Sequence, residues 1–493
     1  MEEISNLTLD SLKAMTAHDL YKIAQMLKVK NYSHYKKDDL VLELYRLINE
    51  GKVKQEPSSS ENENSKENLN SATSRKGRSS NKQVEANEGL ETTTDKKQAN
   101  NQEYSNLTND ERNVPTTTES ENHSRFYSKG LFEAHPDGYG FLRANYFPSF
   151  TDIYVSPPLI RKYGLRTGDM VAGPIQKPQK EGERYPALVN VDTINGVKVT
   201  GYFKRPIFEN LTPYYPTERI VLETPGSNIA LRIIDLIAPL GKGQRGLIVS
   251  APKAGKTTLM REIAKSVVKN YPEIYLMILL IDERPEEVTD MKNSVAAEVV
   301  SSTFDQPPEN HIRVVELALE KAKRLVEIGK DVMILLDGIT RLTRAYNLLS
   351  STSGKTLSGG LDPMAIRGPK KFLGAARSIM NGGSLTILAT ALIDTGSKLD
   401  QVIYEEFRGT GNMEIVLDRE LAEERIFPAI DIKKTGTRRE ELLYSEEDYR
   451  KILTLRKFIS QLEPTDALER LIDMLKQTKN NAELLRSIVA DEK

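Results

Sequence analysis

The stretch that decides the fold runs from Gly246 to Met260: Gly-Leu-Ile-Val-Ser-Ala-Pro-Lys-Ala-Gly-Lys-Thr-Thr-Leu-Met. Leu247, Ile248 and Val249 make a short unbroken apolar run, the pattern of a strand buried on both faces. Ser250 to Thr257 reads as a tight loop. From Thr258 onward Leu259, Met260, Ile263, Ala264, Val267 and Val268 recur at helical spacing, so the order is strand, loop, helix. Such a junction aims successive backbone N–H groups and the positive end of a helix at one spot, which suits a polyphosphate. Lys256 then reaches the β- and γ-phosphates of ATP, and the Thr257 hydroxyl ligates Mg²⁺. The turn-rich Gly241, Lys242, Gly243, Gln244, Arg245 and Gly246 lead in; with Lys253, Ala254, Gly255 and Thr258 they complete the candidate ATP contacts of the loop. Ser250 replaces the motif's first glycine, and the alternative reading is a chance Gly-Lys-Thr in a structural turn.

Outward from this loop, 493 residues suggest two to four domains. The net charge of −1 gives no hint of nucleic acid, so any RNA surface must be local. The absence of cysteine excludes disulfides and thiolate zinc sites and fits a reducing cytoplasm. Met1-Glu2-Glu3-Ile4 lacks the basic and apolar regions of a signal peptide. The longest apolar run, Ile274 to Ile281, is far too short to span a bilayer, so no membrane is expected.

Residues 1–50 read as a helical module, with one apolar stripe at Leu20, Ile23, Ala24 and Leu27 and another at Leu40, Val41, Leu44, Leu47 and Ile48. Lys28, Lys30, Lys36 and Lys37 between them are either a nucleic-acid patch or a solvated basic face. Residues 51–124, rich in Asn, Ser and Glu, cannot bury enough surface to offset ordering entropy and read as a disordered linker. Residues 125–200 carry short β-like runs (Gly130–Ala134, Gly140–Arg143, Asp152–Val155, Met170–Ile175, Ala187–Ile194) broken by Gly and Pro, the pattern of a small barrel. Alternation places Tyr139, Phe141 and Arg143 on one face, a stacking platform for single-stranded bases, each worth about 1–3 kcal/mol. Tyr154, Arg184 and Tyr185 are candidates to join it; the alternative is that these aromatics fill the barrel.

A Pro-rich connector, 201–245, leads to the ATP-binding domain, 246–493, which ends in helices. There, strands and helices alternate, implying a parallel sheet and an α/β fold class. Buried strands end at Asp282-Glu283-Arg284-Pro285, at Asp337 after Val332–Leu336, and at Asp394-Thr395-Gly396-Ser397-Lys398 after Leu385–Leu392. Ligands of such sheets lie at those strand ends. Asp337 is the candidate Mg²⁺ carboxylate and Glu283 the candidate general base for the attacking water, the alternative for Glu283 being a salt bridge to Arg284.

Asp282-Glu283-Arg284-Pro285-Glu286-Glu287-Val288-Thr289, Leu335-Leu336-Asp337-Gly338-Ile339-Thr340-Arg341, Phe407-Arg408-Gly409-Thr410-Gly411-Asn412-Met413-Glu414 and Arg425-Ile426-Phe427-Pro428-Ala429 resemble the bacterial transcription termination factor Rho family, over residues 1–50 and 126 to about 480. The resemblance implies a homohexameric ring of RecA-like P-loop ATPase domains, each with an OB/cold-shock-like β-barrel. It implies capture of pyrimidine-rich single-stranded RNA through Tyr139, Phe141, Arg143, Tyr154, Glu183, Arg184 and Tyr185, with Lys355 and Lys398 as secondary, pore-facing RNA contacts. It assigns Arg438 as the finger entering a neighbour's active site, Arg341 and Arg425 to the subunit boundary, and Phe427 to the adenine, with Arg284 beside Glu283. It further implies 5′–3′ translocation, unwinding of RNA–DNA hybrid and transcript release from an RNA polymerase elongation complex, with elongation factors as further partners. Thr258 departs from the methionine frequent there in the family, and Tyr139 from a phenylalanine. Two other readings remain: an RNA-binding regulator that uses nucleotide only as a switch, and a rotary ATP-synthase-like subunit.

Overall fold

The computed structural model describes Leu20, Ile23, Ala24 and Leu44, and then residues 126–178, 184–226, 228–350 and 357–488. The chain divides into two units, Met1–Val114 and Pro115–Lys493. In the first, the four described residues are helical and buried, each on one of the expected apolar stripes. The linker expected at 51–124, the lysine cluster, Glu183 and Lys355 lie outside the described residues.

The second unit opens with a closed barrel. Strands β1 (Phe126–Ala134), β2 (Gly140–Arg143), β3 (Ile153–Val155), β4 (Met170–Gln176) and β5 (Ala187–Leu188) pair in the order β1–β2–β3–β5–β4, and β4 returns to β1. Helix α1 (Pro157–Tyr163) sends the buried Tyr163 into the barrel core beside Phe132, Leu142, Ile153, Val155 and Val171. In β2 the period of two buries Gly140 and Leu142 and leaves Phe141 and Arg143 half-exposed.

The remainder is a doubly covered parallel sheet. Strands β6 (Arg245–Ser250), β7 (Tyr275–Glu283), β8 (Glu298–Thr303), β9 (Asp331–Asp337), β10 (Ser384–Leu392) and β11 (Met413–Leu417) lie in the order β8–β7–β9–β10–β6–β11. Ile248, Ile278, Leu280 and Leu335 face one helical layer, built from α2 (Ile229–Ile237), α3 (Lys256–Asn270) and the C-terminal helices. Leu247, Val249, Met277, Leu279 and Leu336 face the other, built from α4 (Pro308–Val326), α5 (Ile339–Leu349) and α6 (Lys398–Arg408). Apolar residues on both faces are what a parallel sheet under two layers demands.

Helix α2 falls inside the stretch read as connector. It is buried from Ala230 to Ile237 and packs in the ATPase core. Its polar members are satisfied there: Arg232 Nη1 donates to the carbonyls of Leu475 (2.7 Å) and Thr478 (2.9 Å). The barrel docks on α4 and β8. Tyr146 Oη donates to Glu298 Oε1 (2.7 Å), Lys321 Nζ donates to the same carboxylate, and Arg166 grips Glu327 at 3.0 and 2.6 Å.

Candidate nucleotide site and nucleic-acid interface

Strand β6 ends at Ser250, whose buried Oγ donates to the Ala251 carbonyl (2.7 Å). The loop then turns through two left-handed residues, Lys253 (φ 68°) and Gly255 (φ 95°), before α3 begins at Lys256, two residues earlier than the apolar spacing suggests. A glycine is the low-cost residue for that last turn. Lys256, in the first turn, donates Nζ to Glu283 Oε1 (3.1 Å) and to Asp337 Oδ1. Thr257 is its neighbour on the same turn, and Thr258 is exposed.

Asp337 closes β9 and is fully buried. Its Oδ1 also accepts from Thr390 Oγ1 (2.7 Å), while Oδ2 is buried without a hydrogen-bond partner. An unsatisfied buried carboxylate oxygen is costly and marks a position for a cation. Among the described residues no group of three or more Asp, Glu or His could hold a metal by itself.

Glu283 reaches the site through an irregularity. The β7–β8 register slips between Ile281 and Glu283, and Asp282 takes φ 56°. Such a bulge re-aims the side chain that follows it. Glu283 is thereby buried against two cations, Lys256 Nζ and Arg341 Nη1, the latter at 2.6 Å. Burial alone would push its carboxyl up, but Lys256 and Arg341 outweigh burial and hold it below the usual carboxylate range. The salt bridge to Arg284 is not formed: Glu283 pairs with Lys256 and Arg341, and Arg284 is the exposed N-cap of the helix that follows. Arg341 also donates to the Asp282 carbonyl (2.7 Å), pinning the bulge.

Beside the loop lies a cavity of about 260 Å³ lined by Asn228, Ala254, Gly255, Thr258, Glu262 and Phe427 among others, with the Phe427 ring half-exposed. Its position, past the phosphate loop and floored by an aromatic ring, suits a nucleobase. Gly241 to Gly246 sit elsewhere. Arg245 opens β6 and Ser250 closes it, so the run lies at the opposite end of the sheet, roughly 15 Å of strand from the loop. Lys242 there pairs with Glu218 (2.9 Å) and with Asp331 (2.8 Å) at the start of β9, and Gln244 Nε2 donates to Asn412 Oδ1 (2.8 Å). Within this chain these residues brace the far end of the sheet, away from the loop. Arg438 and Arg425 are exposed, Arg425 with φ 65°. Arg438 lines a separate cavity of about 390 Å³ with Arg408, Glu414, Lys434 and Arg456.

On the barrel, four rings converge. Phe141 lies 5.8 Å from Tyr139, 6.1 Å from Tyr154 and 5.1 Å from Tyr185, all at steep angles, and Tyr139 lies 5.8 Å from Tyr154. The rings are half-exposed, while Phe132, Leu142, Ile153 and Val155 fill the interior, so the aromatics do not pack the core. Arg143 sits over Phe141 with Cζ 4.8 Å from its centroid. Its Nε donates to Glu133 Oε2 (2.7 Å) and its Nη1 to Asp152 Oδ2. Arg184 is exposed beside Tyr185. Sequence reading missed His135, stacked on Tyr139 at 4.4 Å, and the buried Asp152. The alternation that set Tyr139 and Phe141 together does not extend across the turn to His135.

Lys398 is the exposed first residue of α6, after the loop from Asp394. That loop is anchored: Thr395 Oγ1 donates to Asp400 Oδ2 (2.6 Å), and Arg344 grips Asp400 through Nε (2.8 Å) and Nη2 (2.5 Å). Arg341 and Arg344, three apart on α5, share a helix face. One end of α5 therefore holds Glu283 and the next turn holds the base of this loop.

Three family models match the chain: the ATP synthase alpha/beta family nucleotide-binding domain at residues 230–436, the Rho termination factor RNA-binding domain at 128–200, and the Rho termination factor N-terminal domain at 11–48. Transcription termination factor Rho of Aquifex aeolicus is 54% identical over 74% of this chain and 85% of its own length. That of Bacillus subtilis is 56% identical over 74% of this chain and 85% of its own length. A solved ATPase of a bacterial type III secretion system superposes with a TM-score of 0.47 at 24% identity, covering 59% of this chain and 89% of that one.

Proposed function

The chain belongs to the transcription termination factor Rho family, and on that premise we propose that it is an RNA-dependent ATPase and RNA–DNA helicase that ends transcription. The observation that carries the catalytic part is the meeting of Lys256 with both Glu283 and Asp337 at the carboxyl ends of β7 and β9. Nucleotides of parallel sheets bind at those ends, and these three residue types are what phosphoryl transfer needs there.

The geometry supports a role for each residue. An incoming triphosphate competes for Lys256, which leaves Glu283 with Arg341 alone and frees one lone pair to orient water on the γ-phosphate. Thr257 and the unpartnered oxygen of Asp337 would hold Mg²⁺, which supplies charge neutralisation between the β- and γ-phosphates. Phe427 stacks on the base in the cavity beside Thr258. Arg284 flanks the site. Arg438, exposed and far in sequence from the loop, acts in a neighbouring subunit of a homohexamer, with Arg341 and Arg425 near that boundary, and supplies a finger worth about 10³–10⁵ in rate.

The barrel captures single-stranded, pyrimidine-rich RNA on Tyr139, Phe141, Tyr154 and Tyr185, with Arg143, Glu183 and Arg184 at its rim. Lys398 and Lys355 then contact RNA in the ring's pore, and each hydrolysis advances the chain 5′–3′ until the transcript leaves the RNA polymerase elongation complex, elongation factors assisting. The site of action is the cytoplasm; among the described residues no helix is long and apolar enough to cross a membrane.

Glu283→Gln separates this reading from a nucleotide switch. The variant keeps ATP and RNA binding and loses RNA-stimulated hydrolysis by at least about a hundredfold. Unchanged hydrolysis would reject Glu283 as the base and favour the switch.

A further inference from the structure

Glu133, near the end of β1, stands between the barrel's ring platform and the ATPase domain. Its Oε2 accepts from Arg143 Nε at 2.7 Å and from Nη2 of Arg313 on α4. The same oxygen thus serves one arginine of the platform and one from the other domain. Arg143 is held from its far side by the buried Asp152. Counted without α4, the platform's charged group is one cation against two carboxylates, a net −1 under a surface meant for a polyanion. Arg313 brings the count to zero. Its side chain is 30% exposed and its Nε is buried without a hydrogen-bond partner, so Glu133 is the contact that holds it.

The placement of Arg313 is rigid. It lies in the second turn of a helix of 19 residues. The barrel is clamped to the same helix by Lys321 through Glu298 and Tyr146, and by Glu327 through Arg166. Close backbone packing adds to this, since a Cβ on Gly168 would stand 2.3 Å from the Glu320 carbonyl carbon. The helix that carries Arg313 is thus fixed against the barrel, and its guanidinium is within reach of Glu133 only while the barrel is docked.

We propose that Arg313 is a positioning residue of the barrel's RNA surface, acting through Glu133: it cancels the carboxylate's charge and shares its oxygen so that Arg143 stays over Phe141. The RNA surface is then complete only while the barrel is docked on the ATPase domain. This rests on the RNA-binding reading of the barrel.

The test uses full-length protein and a fluorescein-labelled cytidine RNA oligomer of about nine nucleotides, within the site size of one such barrel, read by anisotropy. Arg313→Gln binds about threefold to tenfold more weakly at low salt, and the deficit shrinks as salt rises. Arg313→Lys restores most of the affinity. Glu133→Gln alone binds no more weakly than wild type, and Glu133→Gln added to Arg313→Gln recovers wild-type affinity, because the excess carboxylate is gone. Thermal midpoints and subunit counts are compared for all four. If Arg313→Gln binds normally, or if its defect persists after Glu133→Gln, Arg313 does not act through Glu133 and the proposal fails; the second outcome marks a direct phosphate contact or a folding defect instead. If wild type itself fails to bind the oligomer, it is the RNA-binding reading of the barrel that falls.

Discussion

Arg341 Nη1 lies 2.6 Å from Glu283 Oε1, the same oxygen that Lys256 Nζ meets at 3.1 Å. Two cations on one buried carboxylate depress its proton affinity, and Lys256 is the one a triphosphate can draw away. Arg341 remains, and it also pins the bulge that aims Glu283. Arg341→Met should therefore lower the maximal hydrolysis rate about tenfold to a hundredfold while changing the ATP KM much less. The pH profile carries a second signature. Losing a cation raises the Glu283 carboxyl, so the acid limb of the rate moves to higher pH relative to wild type. An unmoved limb would mean that Glu283 is not the group being titrated.

Arg344 and Arg341 stand on one face of α5, so the loop that carries Lys398 and the carboxylate of Glu283 share one helical support. Arg344→Gln breaks a bidentate grip on the buried Asp400. The expected outcome is RNA stimulation of hydrolysis reduced about tenfold, with cytidine-oligomer affinity at the barrel unchanged. Equal loss in both assays would assign Arg344 to folding.

The ring centroids of Phe141 and Tyr185 lie 5.1 Å apart, and under the proposed function the two rings stack bases jointly. Phe141→Ala and Tyr185→Ala should each weaken cytidine-oligomer binding by about 1–3 kcal/mol. The double variant should lose less than the sum, because each ring supports the other. Titration by anisotropy measures all three.

Asp235, fully buried on α2, has its carboxyl pushed up to about 6 from 3.8, chiefly by burial, against the opposing pull of Arg219 and of the Leu222 and Glu223 amides. The folded chain thus holds this proton to higher pH than the unfolded chain. The stability that the proton confers is full below the unfolded value of 3.8 and is lost as pH rises through about 6. Asp235→Asn mimics the protonated form at every pH. It should raise stability more at about pH 8 than at about pH 5, by up to roughly 3 kcal/mol, in thermal or denaturant melts.

The strand–loop–helix at Gly246–Met260 and the strand end at Asp337 were legible because local apolar spacing alone defines them. Gly140–Arg143 was legible as a strand for the same reason, and its alternation placed Phe141 and Arg143 on the outside. Four kinds of feature were not. Helix α2 spans only Ile229–Ile237, with Arg232 and Asp235 as its charged residues, and so short a run does not stand out from the Pro-rich stretch before it, which reads as a connector. Strands β8 and β11 are short and carry polar residues, among them Glu298, Ser301, Ser302 and Glu414, which break the apolar pattern; partners from other elements hold two of them, Glu298 through Tyr146, Tyr275 and Lys321, and Ser302 through His311. The site's wiring is long-range. Arg341 finds Glu283 across 58 positions and Arg313 finds Glu133 across 180, distances over which no local pattern speaks. The bulge at Asp282 is a backbone event that residue type does not announce, and Glu283, the residue after it, is the one that meets Lys256.

The most direct test is the steady-state ATP hydrolysis rate of the purified full-length protein, measured with and without saturating polycytidylate RNA. The proposed function predicts a slow rate alone and a rise of at least about tenfold with RNA, because under it a neighbour's Arg438 and the pore loop complete the site only when RNA is engaged. Equal rates in the two conditions would contradict it, leaving an ATPase whose barrel has no part in its chemistry.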